Sequence, residues 1–196
     1  MARPRTHDAG LADRLLAEAA VLVAADGPDG LSLRRLADNA QTSTTAIYSL
    51  FGGKDQLLLA LFERAFRSFG ASQHGVAVGD DPASELLALG RGYRRWALAN
   101  PHLFQLMFGP GVQRTTPETE RLAEQTKEPL LAAVRRAQAA GRIAPAHDPE
   151  LVALGLWGQV HGLVTLELTL GDRAAAGQQA EQTFDACLSA AQRGWA

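Results

Sequence analysis

Residues 32–54 constrain the fold of this chain more than any other segment. Their pattern predicts two short helices joined by a tight turn, with Ser32 and Ser43 as N-caps, because a serine hydroxyl accepts a hydrogen bond from a free amide at a helix start. The outer side of the second helix carries hydroxyls and one phenol, from Thr44, Thr45, Tyr48 and Ser49. Such an uncharged, hydrogen-bonding face fits a DNA major groove better than bulk solvent.

The composition allows a soluble protein with one large domain, or with a small domain and a larger one. The chain has 196 residues, of which 46% are hydrophobic and 20% charged. Its net charge of -2 argues against a uniformly basic surface, but a small dimeric DNA reader needs only a local cationic footprint. A single cysteine, Cys187, excludes an internal disulfide, and no apolar signal core follows the N-terminus, so we expect a cytoplasmic protein.

Almost every periodic stretch has a helical period, which predicts an all-α fold of about nine helices. The first helix is expected over residues 9–25, followed by a break that contains glycine and proline. Residues 70–81 are the best candidate for a flexible connection. We therefore predict a helix-turn-helix DNA-binding domain with three helices at 1–67, and a larger helical regulatory and dimerisation domain at 76–196.

The most apolar stretch, residues 151–170, is interrupted by Gln159, His161 and Glu167. Because charged groups are rare inside membranes, we interpret this stretch as a buried helix and not as a membrane span. The helix is apolar on nearly all sides, and the last helix has an apolar stripe of its own. One small chain has difficulty covering both, so we expect a two-fold, four-helix interface between two copies.

Residues 44–54, with the sequence TTAIYSLFGGK, resemble the N-terminal domain of TetR-type transcriptional regulators. The resemblance extends over residues 9–67 in the order helix, Gly-Pro loop, two-helix reader and glycine break. Further along, Trp157, His161 and Gly162 resemble the Trp-His-Gly signature of one C-terminal subgroup. Many family members carry Gly-Val in the turn, where this chain has Gln41-Thr42, and a glutamine in a left-handed conformation costs about 1 kcal/mol.

The resemblance implies a ligand-responsive transcriptional repressor that binds a palindromic operator as a homodimer. It also implies that the threonines at the start of the second reader helix contact base edges, whereas Tyr48 and Ser49 contact phosphates. Lys54 would add a charge at the start of the fourth helix. The predicted DNA-binding residues are Arg3, Arg5, Ser32, Arg34, Arg35, Ser43, Thr44, Thr45, Tyr48, Ser49 and Lys54.

These residues also have structural alternatives. The two threonines suit a helix start, Tyr48 can pack on the first helix, and Lys54 can be a solvated lysine. Either arginine of the second helix can pair with Asp38 or with an acid of the first helix. The basic N-terminal arm can enter a minor groove or be a disordered terminus.

Large apolar side chains near helix breaks in the C-terminal region can line a pocket for a mostly apolar effector. The alternative is plain core packing, and for the histidine among them a buried imidazole whose hydrogen bonds are satisfied. The predicted ligand-binding residues are Trp96, Phe104, Met107, Phe108, Trp157 and His161.

The sequence indicates neither an enzyme nor a metal site. No histidine has a metal-ligating partner at helical spacing, there is no glycine-rich phosphate loop, and Cys187 reads as an inert core thiol. Catalysis by His161 and Glu167 is disfavoured because residues six apart lie on different helix faces. We expect no cofactor and no membrane partner. The alternative function is a helical small-molecule sensor without specific DNA binding, and the near-neutral net charge is compatible with it.

Overall fold

The computed structural model describes residues 5–79, 81–109, 116–170 and 177–196, without the side chains of residues 5–9 and 178. These residues form helices and connecting turns, which confirms the predicted all-α fold of nine helices for the part described. The helices are α1 (Arg5–Gly30), α2 (Leu33–Asn39), α3 (Thr44–Phe51), α4 (Lys54–His74), α5 (Pro82–Ala99), α6 (Pro101–Phe108), α7 (Pro117–Ala139), α8 (Pro149–Leu170) and α9 (Gln178–Arg193).

The first helix starts earlier than the sequence predicts, at Arg5 instead of Ala9, but it breaks where expected. Gly27 has φ 74° and ψ 169°, which no helical residue adopts, and Pro28 follows it. A left-handed φ is easily adopted only by a residue without a Cβ, so the glycine ends the regular part of α1. The Gly-Pro break of the sequence therefore separates α1 from the helix-turn-helix.

Both predicted N-caps form. The hydroxyl oxygen of Ser32 accepts a hydrogen bond from the Arg35 amide at 3.3 Å, and that of Ser43 accepts one from the Ala46 amide at 3.2 Å. Each bond satisfies one of the free N–H groups at a helix start. The two serines therefore determine where α2 and α3 begin.

The turn between α2 and α3 contains the left-handed residue that the sequence predicts. Gln41 has φ 53°, and it is the one non-glycine residue with a positive φ in the part of the chain that the structure describes. Its amide donates to the Asp38 carbonyl at 3.2 Å, and the Thr42 amide donates to the Ala37 carbonyl at 2.9 Å. The turn is thus fixed by backbone hydrogen bonds in spite of the strained glutamine.

The chain divides into two compact units, one formed by residues 1–67 and 100–122, the other by residues 68–99 and 123–196. In the first unit α6 packs on α1. Residues 100–122 therefore group with the helix-turn-helix by their contacts, although the sequence placed them in the regulatory domain. The functional boundaries at 67 and 76 remain predictions.

The core of the first unit determines which side of α3 faces outward. Apolar faces of α1, α2 and α3 pack on one another, and the first part of α4 also buries its apolar side chains. The side chains that are buried almost completely are Leu15, Leu36, Ile47, Leu57, Leu58 and Leu61. Because Ile47 is the inward residue of α3, Thr45 and Ser49 lie on the opposite side of that helix, whereas Tyr48 is exposed at its flank and Thr44 is half-buried.

In the second unit, three bidentate pairs between arginine and carboxylate tie α5 to the helices around it. They join α5 to α7, α8 and α9, respectively, through Glu85 with Arg136, Arg94 with Glu167, and Arg91 with Asp185. The carboxylate of α5 in the first pair is buried, at 5% exposure. Bidentate geometry specifies direction as well as charge, so these pairs align the helices of this unit.

α4 is longer than the sequence predicts, because it continues to His74. The first residues of the predicted flexible connection are therefore helical. Phe69 and Gln73, one turn apart, are both buried, at 5% and 6% exposure. Their packing outweighs the low helix propensity of Gly70.

α8 differs from the fully buried helix that we expected. One face, with Val152, Leu156 and Val164, is buried, whereas Leu151 and Leu154 on another are more than half exposed. Among the described helices it is also the one long and apolar enough to cross a membrane, a criterion that core helices of soluble proteins meet as well. One face of α8 is therefore apolar and open to solvent in the single chain.

Candidate DNA interface and ligand cavity

The outer face of α3 is the candidate DNA interface. Thr45 and Ser49 are exposed, Tyr48 is 58% exposed, and Thr44 is half-buried. The exposure of Tyr48 disfavours the alternative in which it packs on the first helix. The face carries no charge and offers hydroxyl groups, which can donate to and accept from base edges and can donate to phosphates.

The N-cap serines, Ser32 and Ser43, combine a structural role with the predicted role in binding. Each hydroxyl oxygen accepts one backbone hydrogen bond. A serine hydroxyl also has one hydrogen to donate, and a phosphate oxygen is a suitable acceptor. Their capping bonds hold both oxygens at the helix starts, so their positions do not depend on a ligand.

Two of the predicted phosphate-binding cations are engaged within the first unit. Arg35 pairs with Asp26 of α1 through Nη1 and Oδ2 at 2.6 Å, which is the alternative with an acid of the first helix. Lys54 donates from Nζ to the Asp29 carbonyl at 2.7 Å. An ammonium has three N–H groups, so this lysine keeps two for another acceptor.

The remaining predicted cations are Arg34 on α2 and the two arginines of the N-terminal arm. Arg34 is exposed and has no partner within the residues described. Arg3 lies outside the described residues. Arg5 is in the first turn of α1, but its side chain is outside the description. The basic arm therefore remains a prediction.

Sequence reasoning allowed an acid of the first helix as a partner of Arg35 without naming Asp26, and it missed the Asp29 carbonyl that holds Lys54. A signal was present, since both acids flank the Gly-Pro break directly before the cationic helix α2. The contact with Lys54, however, joins residues 25 apart and uses a backbone carbonyl. No pattern of residue types predicts such a contact.

The second unit contains a small cavity of about 40 Å³ between α5, α8 and α9, with single residues from α4 and α7. Typical ligand pockets measure roughly 300–1,000 Å³, so the cavity admits little without movement. Its lining is mostly aliphatic and has no charged side chain. The lining residues are Gln73, Leu86, Leu89, Gly90, Tyr93, Leu130, Leu156, Trp157, Val160, Leu188 and Gln192.

A chain of hydrogen bonds connects Trp157, Tyr93 and His161 at one wall of this cavity. The Tyr93 hydroxyl lies 2.9 Å from His161 Nδ1, and the Trp157 side chain hydrogen-bonds to Tyr93. Because an indole only donates, the phenol oxygen accepts from Trp157 and its hydrogen goes to His161 Nδ1. Burial lowers the pKa of His161 and raises that of Tyr93, so both are neutral at pH 7.

The predicted ligand-binding residues are not brought together within one unit. Phe104, Met107 and Phe108 belong to the first unit, and the other three belong to the second. Trp96 is 7% exposed and donates to Ser68 Oγ at 3.0 Å, which is a core environment. Of the six, Trp157 lines the cavity. Ligand binding by the set remains a prediction.

Sequence reasoning also missed Gln73, because it placed residue 73 in a flexible connection. Once α4 continues beyond Gly70, this glutamine follows Phe69 on the buried side. The available signal was therefore helical spacing to a large apolar residue. Among the residues that the structure describes, no group of three metal-ligating side chains occurs.

A capped helix-turn-helix in one unit, together with a second helical unit, is the architecture of helix-turn-helix regulators. The family model described as "Bacterial regulatory proteins, tetR family" matches residues 15–61. The model described as "Tetracyclin repressor-like, C-terminal domain" matches residues 86–191, which is more than half of the chain. The chain belongs to the TetR family of transcriptional regulators.

Named relatives and solved structures agree with this assignment. The chain is 27% identical over 128 residues to the HTH-type transcriptional regulator Rv1816 of Mycobacterium tuberculosis, a match covering 62% of this chain and 55% of that protein. The chain thus matches little more than half the length of these curated relatives. A structure from Rhodococcus sp. RHA1, of unknown function, is 30% identical with a TM-score of 0.77 and covers 95% of both chains. The TetR family transcriptional regulator PfmR of Thermus thermophilus shares the fold, with 23% identity, a TM-score of 0.75, and coverage of 92% of this chain and 97% of that one.

Proposed function

We propose that this chain is an effector-responsive transcriptional repressor that binds a palindromic operator as a homodimer in the cytoplasm. The observation that carries the proposal is the outer face of α3. It exposes hydroxyls and a phenol while Ile47 is completely buried behind it. An exposed, uncharged face of this kind on a capped short helix suits the major groove.

In this proposal the start of α3 approaches the bases. Thr44 and Thr45 hydrogen-bond to base edges, and their methyl groups can contact a thymine methyl. Tyr48 and Ser49 bind phosphates together with the two N-cap serines, which fixes the register of the helix in the groove. Specificity then depends on the threonines, and affinity on the phosphate contacts.

The cations of the first unit supply the salt-dependent part of binding. Arg34 is exposed and can bind a phosphate without first leaving another partner among the described residues. Lys54 can add a phosphate to its bond with the Asp29 carbonyl, because two of its N–H groups remain. Arg35 must exchange its carboxylate partner for a phosphate. Phosphate contacts of this kind release counterions and contribute no sequence information.

Dimerisation is supported by the open face of α8. Leu151, Leu154 and Leu166 are more than half exposed. On the same face, a Cβ added at Gly158 or Gly162 would meet nothing within 4 Å, so a second helix can approach closely there. A large exposed apolar face marks an interaction site, and a two-fold dimer matches a palindromic operator.

The dimer can be tested with Leu154→Glu. We expect this charge on the exposed face to convert the protein to a monomer at micromolar concentration, as measured by sedimentation velocity. Leu98→Glu is a matched control, because Leu98 is an exposed leucine on α5 and not on α8. A Leu154→Glu variant that stays as dimeric as the control contradicts the assignment of the interface.

DNA binding is tested by footprinting on the chain's own promoter and by titration of the protected site. Protection should be two-fold symmetric. Lys54→Ala should weaken all sites about equally and lower the salt slope, whereas Thr45→Ala should change which bases are preferred. Lys127→Ala, an exposed lysine outside the helix-turn-helix, is the control. Weak binding that ignores sequence and competitor would favour the sensor without specific DNA binding.

The effector response follows from the preference of a ligand for one dimer state. Half-sites lie about 34–36 Å apart, so a small change in the spacing of the two α3 helices weakens binding. A ligand that binds one spacing better shifts the population toward it. α4 contributes residues to both units, which makes it the candidate element for this coupling.

A further inference from the structure

The second unit also has an open cleft of about 470 Å³, which lies where α5 begins, α7 passes into α8 and α9 ends. Its volume falls within the roughly 300–1,000 Å³ of typical small-molecule sites. The cleft shares two lining residues with the 40 Å³ cavity, Leu86 and Gln192, but neither Tyr93 nor Trp157 of that cavity. We call it the polar cleft, because charged side chains contribute to its lining: Asp81, Arg142 and Arg193.

One carboxylate oxygen of the polar cleft is buried and has no hydrogen-bond partner among the described residues. It is Oδ1 of Asp81, the residue directly before α5. The other oxygen, Oδ2, accepts from the Ser84 amide at 3.1 Å and from the Ser84 hydroxyl at 2.7 Å. These two bonds fix the orientation of the carboxylate and hold the pKa of Asp81 below its ordinary value. Because a buried acceptor without a donor is unfavourable, a donor placed at Oδ1 would be stabilising.

The cation beside this oxygen is Arg142. Its Nη2 lies 3.6 Å from Asp81 Oδ1, which is an ion pair too long for a hydrogen bond. The Arg142 side chain is 62% exposed, so it can move and leave room beside Oδ1. Arg193 is also exposed and has no partner within the residues described. Both arginines are therefore available to a carboxylate, and Asp81 to an ammonium group.

The mixed charge of the lining limits what the polar cleft can hold. A ligand with only a carboxylate would be repelled by Asp81, and one with only an ammonium group would be repelled by the two arginines. Because Arg142 Nη2 and Asp81 Oδ1 are 3.6 Å apart, a ligand that binds both must carry its two charges close together, as on the α-carbon of an amino acid.

The apolar part of the lining determines which side chain such a ligand would have. Leu86 and Ile143 are buried beneath the surface of the polar cleft, and Leu87 is half-buried. Aliphatic side chains of this kind favour an aliphatic ligand group, since both surfaces then leave water.

We propose that the polar cleft binds an α-amino acid with a branched aliphatic side chain. Its ammonium group donates to Asp81 Oδ1, its carboxylate accepts from Arg142, and its side chain packs on Leu86 and Ile143. This site is additional to the proposed DNA binding and effector response, and it requires neither DNA nor a second copy of the chain.

The test compares three probes with the same aliphatic tail. Leucine carries both charges, isopentylamine is leucine without the carboxylate, and 4-methylpentanoate is leucine without the ammonium group. Each is titrated into the full-length protein at neutral pH without DNA, and the backbone amides of Ser84 and Gly141, which line the cleft, are followed by ¹⁵N–¹H NMR. Leucine should shift both resonances saturably, with a dissociation constant of about 0.1–1 mM for a ligand of this size. The other two probes should bind at least about 5-fold more weakly, because each lacks one charge-assisted hydrogen bond.

Two variants separate the roles of the charges. Asp81→Asn keeps a good N-cap for α5 but removes the negative charge. It should weaken leucine binding at least about 5-fold and strengthen the binding of 4-methylpentanoate, which is no longer repelled. Arg142→Gln should also weaken leucine binding, but it should strengthen the binding of isopentylamine. Asp148→Asn is the matched control, because Asp148 likewise precedes a proline at a helix start, accepts a bond from the Glu150 amide and does not line the cleft. It should leave the binding of all three probes unchanged.

The proposal would be overturned by the absence of a saturable shift with leucine, by equal binding of the three probes, or by variants that weaken all three probes alike. Melting temperatures of the variants check that they are folded. If Asp81→Asn unfolds, Arg142→Gln decides, because Arg142 is exposed and its loss leaves the capping bonds of Asp81 in place. Since no DNA is present, a negative result leaves the proposed operator binding unaffected.

Discussion

Replacing Gln41 by glycine should stabilise the helix-turn-helix. Gln41 has φ 53°, a conformation in which the Cβ of an L-residue crowds its own backbone. Its side chain is exposed, so glycine removes no buried contact. The amide that donates to Asp38 remains in place, because the substitution does not alter the backbone.

The expected gain follows from two opposing terms. A left-handed conformation costs an L-residue about 1–2 kcal/mol, and glycine avoids this cost. Glycine also gives the unfolded chain more freedom, which offsets roughly 0.4–1 kcal/mol. The net stabilisation should be about 0.5–1 kcal/mol, or roughly 1–4 °C in melting temperature if the whole chain unfolds together.

Thermal and urea unfolding of the purified protein measure this gain. Thr42→Gly is the matched control, because Thr42 is the next residue of the same turn and its φ is not positive. There, glycine should destabilise the protein by about 0.5–1 kcal/mol. If Gln41→Gly lowers the melting temperature as Thr42→Gly does, the strain argument is refuted.

Three further substitutions test other parts of the structure. Arg136→Met should destabilise the protein by ~2–3 kcal/mol in urea unfolding, because Glu85 is then buried without a partner, and adding Glu85→Leu should restore most of the loss. Burial lowers the pKa of His161, so the unfolded state binds a proton at a higher pH than the folded state does. The free energy of unfolding should therefore decrease as the pH falls below about 6.5. His161→Gln should make the free energy of unfolding less dependent on pH in this range, and an unchanged pH dependence would contradict the reasoning. Asp26→Asn releases Arg35 from its ion pair and should strengthen binding to random duplex DNA about 3–10-fold at low salt, as measured by fluorescence anisotropy. Asp29→Asn is the control, because it removes a charge from the same loop but leaves the pair between Arg35 and Asp26 intact.

The helix-turn-helix could be predicted because its signals are local. Ser32 and Ser43 cap helices through bonds to amides three residues on. The strain at Gln41 follows from a turn that needs a left-handed residue, a conformation that glycine adopts easily and glutamine does not. In each case the residue types and their spacing within a few positions determine the geometry, so a single sequence suffices.

Prediction from the sequence was wrong where the structure depends on packing between segments that are distant in the chain. Gln73 is helical and buried because α4 continues past Gly70, and its helical spacing to Phe69 is informative only once that continuation is known. The aromatic residues near the helix breaks looked like one group, but Phe104 and Met107 fall in one unit and Trp157 in the other. Periodicity identifies apolar residues, and only the folded chain decides which of them meet.

The internal pairing of cations bears on how a chain with a net charge of -2 can recognise an operator. Binding to random DNA is driven mainly by counterion release, which increases with the number of cations free to contact phosphate. Here Arg35 is neutralised by Asp26 and Lys54 is partly engaged by a carbonyl. In the proposed mode of binding, random sequences therefore gain little affinity from these cations, whereas an operator would also gain the hydrogen bonds of the α3 hydroxyls. Selection among sites depends on the ratio of specific to non-specific affinity. Lowering the non-specific affinity therefore raises specificity as effectively as adding base contacts does.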